Sequence, residues 1–288
     1  MKNLFKDLQV QEDLFDNILL CNYGERNKTQ YYKSSDTADA FERCDIPEKV
    51  EYWKDKTIEY KFNNWGFRTY DDFNTEDEGV VTLGCSFTEG IGLPLEYCWS
   101  NKIAKYLNLK HWNLAQGGLG IHTCFRLLLG AKEKIKFKKV FLFAPPLYRK
   151  EFIVDDNKLF TEGYLKGRFK DLRFIHTLGT KISKHLPFEF EEEKNKDLMH
   201  SWLFGSQKDT IIDQIRTIYA IEGLCKDLGV EFYYLNFYHY FNAKANLRAK
   251  KITDNQCLDI PARDSHWGAK KQHLIFEDFK KLYESYNR

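Results

Sequence analysis

Residues 79–92 read GVVTLGCSFTEGIG, and the fold is read outward from them. Gly79–Leu83 is a compact β-branched run that stops at Gly84, the pattern of a strand buried on both faces of a parallel sheet. Ser86 then stands on a tight turn, with Gly84 before it and Gly90 and Gly92 after it. Next, residues 95–108, LEYCWSNKIAKYLN, place Leu95, Trp99, Ile103 and Leu107 four apart, which is one face of a helix. HWNLA (111–115) reads as a short strand, and IHTCFRLLLGAKEKI (121–135) as a helix. KKVFLFAPP (138–146) is a third strand, halted by Pro145 and Pro146 because proline removes a ladder donor and restricts the residue before it. The alternation resumes with a helix over 209–229, a strand over 230–237, a short CLDI segment at 257–260 and a last helix after Gly268. In that helix Ile275, Phe279, Leu282 and Tyr286 are expected to share the face that packs on the sheet. Strands alternating with helices predict an α/β fold with a parallel sheet and right-handed crossovers.

Residues 1–75 are polar and weakly periodic, and read as a lead-in lobe packed on a main domain over 76–288. An insertion at about 150–205 interrupts the main domain. Within it FEFEEEKNKD (188–197) reads as a solvated loop or cap. The 288 residues suffice for one large domain with an appended lobe. Apolar residues at 43% and charged residues at 30% fit an ordinary globular protein. Forty-four basic residues against forty-two acidic ones leave a formal charge of +2. No long basic stripe is present to neutralise a phosphate backbone, so nucleic acid is not an expected partner. The opening MKNLFKDLQVQEDLF lacks the continuous apolar core of a signal peptide, and no stretch approaches the roughly 18 apolar residues of a membrane span. A cytoplasmic location without a membrane partner is therefore expected. The seven cysteines contain no CxxC pair, which argues against a disulfide framework or a zinc site and for small buried hydrophobes.

Active sites of open α/β sheets gather at the carboxyl ends of the strands, and the suggestive residues lie at such ends. Ser86 follows a buried strand directly, where a hydroxyl can act as nucleophile and its own amide as an oxyanion donor. The alternative is that Ser86 caps the next helix. In NLAQGG (113–118) Gly118 has no Cβ, so its N–H can approach a substrate closely; it can equally be a turn residue. In PARDSHWG (261–268) Asp264 and His266 offer an imidazole and the carboxylate that fixes its tautomer, which a serine nucleophile needs. The competing reading is a surface Asp and a helix-capping His. What favours the catalytic reading is the joint occurrence in the order Ser, Asp, His at successive sheet edges. Glu89 reads as a favourable charge at a helix N-terminus. His111, His122, His176, His185, His200, His239 and His273 lack ligand spacing. The aromatic run YYLNFYHYF (233–241) reads as the packing of a buried strand, with a sugar-stacking groove as the alternative.

GCSFTEG (84–90) resembles the first conserved block of SGNH or GDSL-type hydrolases, NLAQGG the second and RDSHWG (263–268) the last. FNNWGFR (62–68) resembles a lead-in to the first block, and the likeness spans about residues 61–285. It implies a three-layer α/β/α sandwich around a central, mostly parallel sheet. Ser86 would be the nucleophile, His266 the general base, Asp264 its orienter and Gly118 an oxyanion donor, with no cofactor or metal. Three departures bear on this. Cys85 stands where the family has aspartate, and a thiolate is a rival nucleophile. The Asp-x-His spacing is similar to the DHHW-type branch related to alginate O-acetyltransferases, which brings in acyl transfer. Pro146 aligns where the family supplies an Asn donor, leaving Arg149 as the nearest replacement or as a binder of an anionic substrate group. The expected function is a serine esterase that removes a small O-acyl group, such as acetyl from a carbohydrate, through an acyl-serine. The alternatives are an O-acyltransferase with the same triad and an inactive carbohydrate-binding or structural module on the same fold.

Overall fold

A computed structural model describes residues 26–31, 58–147, 149, 151–155, 172–176, 207–236 and 268–287. The strands are β1 (Thr29–Tyr31), β2 (Glu59–Lys61), β3 (Glu78–Leu83), β4 (Lys110–Asn113), β5 (Lys136–Ala144), β6 (Glu151–Asp155), β7 (Leu172–His176) and β8 (Glu231–Asn236). The helices are α1 (Ser86–Glu89), α2 (Trp99–Leu107), α3 (Ile121–Ala131), α4 (Gln207–Asp227) and α5 (Ala269–Tyr286), with a 3-10 turn at Leu95–Tyr97. Four strands form a parallel sheet in the order β4-β3-β5-β8. β1 and β2 pair antiparallel, as do β6 and β7.

Strand parity sorts the core into two layers around the sheet, because successive side chains point to opposite faces. Val81 and Leu83 of β3, with Val140, Leu142 and Ala144 of β5, pack with Leu127 and Leu128 of α3 and Ile221 and Leu224 of α4. Val80, Phe141 and Phe143 pack on the other face with Trp99 and Ile103 of α2 and Ile275 and Phe279 of α5. The chain is therefore an α/β/α sandwich. Trp99 is the centre of the second layer, stacked on Phe279 at 4.6 Å and edge-on to Phe143 at 6.3 Å. The helix expected from residue 95 is split, because Cys98 is extended (φ −73°, ψ 138°) and α2 starts only at Trp99. At the other end Asn108 closes α2 in the left-handed conformation, φ 54°, which asparagine tolerates better than most residues. In α5 Ile275 and Phe279 are fully buried as expected, but Tyr286 is 74% exposed. The last turn makes ring contacts with Tyr233, from Tyr283 at 5.7 Å and Tyr286 at 5.9 Å, and Tyr283 also meets Tyr106 at 6.3 Å.

Gly79, at the start of β3, is required by its neighbour. A Cβ there would lie 2.1 Å from Trp112 Nε1, and the indole cannot step aside because Nε1 donates to Lys136 O at 2.9 Å. Gly79→Ala is expected to destabilise the protein by about 1–3 kcal/mol or more, read from the urea midpoint.

Residues 58–75 of the lead-in join the same core and cover the outer edge of β4. Phe67 and Phe73 pack in the α3/α4 layer, stacked on each other at 5.5 Å. Thr69 Oγ1 donates to His111 O at 2.8 Å, and Asp71 accepts from His111 N–H and Lys110 Nζ, each at 3.1 Å. Ladder groups that an edge strand would otherwise expose are thereby paired. The greater part of the lead-in, of the 150–205 insertion with its charged run, and the CLDI segment lie outside the described residues.

β4 also buries His111 completely, with Nε2 3.2 Å from Thr82 Oγ1. Burial pushes its imidazole down to about 3 from the usual 6.5, against a smaller upward pull from Asp71. The folded protein keeps the ring neutral, while the unfolded chain protonates it near 6.5. Unfolding therefore takes up a proton between about pH 6.5 and 3, so this share of stability is complete above 6.5 and drains away as pH falls toward 3. The limiting slope is about 1.4 kcal/mol per pH unit. Urea midpoints measured across that window are expected to lose this slope in His111→Gln, and an unchanged slope would assign the acid sensitivity elsewhere.

Candidate active site

The chain leaves β3 for α2 and β4 on one face of the sheet, then returns through α3 on the other face to β5. The carboxyl ends of β3 and β5 are thus the switch point of a doubly wound sheet, where ligand crevices form. Ser86 lies directly beyond the β3 end. Gly84 lets the chain pass close to β5, since a Cβ there would lie 2.9 Å from Phe143 O.

Ser86 is not a helix cap. The cap position belongs to Cys85, which is extended (φ −113°, ψ −153°) and makes no side-chain capping bond, so Ser86 is the first helical residue of α1. It is 6% exposed. Its carbonyl accepts from Gly90 N–H at 2.9 Å and Ile91 N–H at 3.1 Å. Among the described residues none bonds to its hydroxyl or takes its N–H. Cys85 is fully buried in the layer with Trp99 and Phe143. The other described cysteines, Cys98, Cys124 and Cys225, are also free and buried. Burial pushes the Cys98 thiol up to about 11 and Cys225 to about 12, and raises Cys124 as well.

The second loop is a turn in which Leu119 N–H donates to Gln116 O at 3.3 Å and Gly118 holds φ 81°. A positive φ at the third position is the pattern of a type II turn and favours glycine. Gln116 Nε2 donates to Gly66 O at 3.1 Å, tying this loop to the FNNWGFR segment. Gly117 N–H donates to Glu89 Oε2 at 2.5 Å. Glu89 lies in the first turn of α1, as the reading of a charge at a helix N-terminus has it, and is 0% exposed. Among the described residues none accepts from Gly118 N–H.

Arg68 explains the lead-in motif. Asn63 Oδ1 accepts from the N–H groups of Trp65 and Phe67 at 3.0 Å each and shapes the turn that delivers it. The guanidinium lies over the Tyr60 ring at 3.9 Å. It donates to the carbonyls of Glu89 (3.2 Å), Leu93 (2.6 Å), Glu59 (3.1 Å) and Gly90. Tyr60 OH accepts from Gly92 N–H at 2.8 Å. The turn behind Ser86 is therefore braced along its length by two residues of the lead-in.

At the third loop Pro145 O accepts from Gln214 Nε2 at 2.9 Å, and Pro146 has no donor to offer. Arg149 reaches back to the second loop, with Nη1 3.4 Å from Leu119 O. The backbone there approaches so closely that a Cβ on Gly120 would lie 2.3 Å from Arg149 O. Arg126 anchors the same arm, with Nε 2.7 Å and Nη2 2.6 Å from the two Glu151 oxygens.

Asp264 and His266 lie outside the described residues, but the helix that follows them is docked at the site. Gly268 caps α5, and Gln272 in its first turn donates through Nε2 to Phe87 O at 2.8 Å. Gln272 Oε1 accepts from Trp99 N–H at 2.9 Å, which caps α2. The described histidines take other duties. His122 spans α3 and α4, with Nε2 2.8 Å from Asp213 Oδ2 and Nδ1 3.3 Å from Thr217 Oγ1. His273 lies on α5 beside Glu277 at 3.9 Å. Tyr233, from the aromatic run, is core, stacked on Phe141 at 4.6 Å. The residues that sequence reasoning passed over are Arg68 and the buried role of Glu89. Only the FNNWGFR motif signalled the first, and nothing local signalled the second.

Among the described residues no helix is long and apolar enough to cross a membrane. The chain matches no protein-family model, no curated protein and no solved structure.

Proposed function

We propose that the chain is a cytoplasmic serine esterase of the SGNH type, which removes a small O-acyl group such as acetyl from a carbohydrate through an acyl-Ser86 intermediate. The observation that carries this reading is the bond from Gln272 to Phe87 O. It fixes the start of α5 against the residue next to Ser86, and the two-residue tether from Gly268 back to His266 spans at most about 7 Å. His266 at the end of that tether, with Asp264 two residues before it, is kept by chain length near the start of α5, as a base for Ser86 requires.

In the reaction His266 takes the hydroxyl proton as Ser86 Oγ attacks the acyl carbon, and Asp264 holds the imidazole in the accepting tautomer. The N–H groups of Ser86 and Gly118 bind the oxyanion. Collapse breaks the acyl–oxygen bond, and His266 returns the proton to the leaving alcohol. Water then releases the acyl group; an acceptor alcohol in its place would make the same site an O-acyltransferase. With Pro146 unable to donate, Arg149 beside Leu119 is the candidate third donor or the contact for an anionic substrate group. The placement of Cys85 in the core argues against the thiol as nucleophile.

A fluorophosphonate probe is expected to label Ser86 in the parent protein and to stop labelling it in His266→Ala. A parent left unlabelled would favour the inert binding module on the same fold.

A further inference from the structure

We infer that Glu89 is a positioning residue for the oxyanion hole, holding the Gly117–Gly118 turn in register with Ser86; this rests on the acyl-serine reading above. The carboxylate is wholly buried, and a buried charge is retained only where it is hydrogen-bonded. It accepts from Gly117 N–H, a backbone donor to a carboxylate, which is the charge-assisted kind of hydrogen bond. Glu89 belongs to the same single-turn helix as Ser86, and its own carbonyl is held by Arg68. One side chain thus links the nucleophile turn to the loop that carries the second oxyanion donor.

The need for such a link comes from the turn itself. Gly117 and Gly118 lie between the two residues of its closing bond, so the peptide that carries Gly118 N–H takes no part in that bond. Two successive glycines offer little steric resistance to rotation of this peptide, and the turn types differ by just such a rotation. Gln116 fixes one flank of the turn through Gly66 O, and Glu89 fixes the Gln116–Gly117 peptide, the base from which the next peptide rotates. With Glu89 in place the donor stands where the oxyanion forms. Without it the donor is directed there only part of the time. Ground-state binding of an ester makes little use of this donor, so the loss falls on turnover.

The test compares hydrolysis of 4-nitrophenyl acetate by the full chain, Glu89→Gln, Glu89→Met and Ser86→Ala. Methionine matches the length of the side chain but cannot replace the acceptor, and kcat is expected to fall about 100-fold with KM changed less than about threefold. Glutamine can still accept through its amide oxygen, more weakly, and is expected to lose only about three- to tenfold in kcat. Turnover in Glu89→Met equal to the parent's, equal losses in both variants, or a loss confined to KM would each overturn the role of Glu89. Should Glu89→Met fail to fold, as judged by circular dichroism, Glu89→Gln decides, and a kcat equal to the parent's overturns it. A parent no faster than Ser86→Ala would instead strike the acyl-serine reading.

Discussion

Ser86→Ala is expected to lower kcat for an activated acetate ester by about 10⁴- to 10⁶-fold, leaving only what binding and the oxyanion donors supply. The same substitution is expected to leave stability within about 0.5 kcal/mol, since deleting a hydroxyl that bonds to no described residue orphans none of them. The two measurements must be made together. Activity lost with an unchanged urea midpoint assigns the loss to chemistry, and a variant as fast as the parent removes the proposed intermediate.

The largest expected loss of stability belongs to Arg68. Arg68→Met removes the donors to the carbonyls of Glu59, Glu89, Gly90 and Leu93 and the cation over the Tyr60 ring. Gly90 O keeps Leu93 N–H and Glu59 is exposed, but a buried carbonyl that loses its guanidinium donor, as at Glu89 and Leu93, costs about 1–3 kcal/mol before any relaxation. Relaxation and relief from burying a cation offset part of this, and a net loss of about 3–5 kcal/mol is expected from urea unfolding. Arg68→Lys is expected to recover less than half of it, because an ammonium has only three donors and cannot reproduce a planar group stacked on a ring. Full recovery with lysine would show that charge alone, not the fork of donors, braces the turn.

The sheet was readable because its strands are short apolar runs ended by Gly84 and by Pro145, and local pattern reports that directly. The break at Cys98 was not, since Leu95, Trp99, Ile103 and Leu107 keep helical spacing even where the backbone between them is extended. Tyr286 continues the apolar face of α5 on paper, yet at the end of the helix it is largely exposed and touches the sheet layer through the Tyr233 ring. For Ser86 the helix-cap reading turns on one backbone conformation, which the sequence does not print, and the extended Cys85 excludes it. Glu89 does stand in the first turn of α1, but its bond to Gly117 is not legible in the sequence, because the partner is 28 positions away and nothing in the spacing of α1 points to it. Arg68 was visible only as part of a motif, without a hint that it gathers four carbonyls. Asp264, His266 and any lid over the site fall outside the described residues.

The Gln272 carboxamide has a consequence for how the protein is made. It joins Phe87 and Trp99 to a position 185 and 173 residues further along the chain. A polypeptide emerging from the ribosome can form β3 and much of the sheet early, yet the turn bearing Ser86 lacks this clamp until Gln272 has been synthesised. Contacts of such long range are slow to form. The turn bearing Ser86 should therefore settle after all four strands of the parallel sheet have been made.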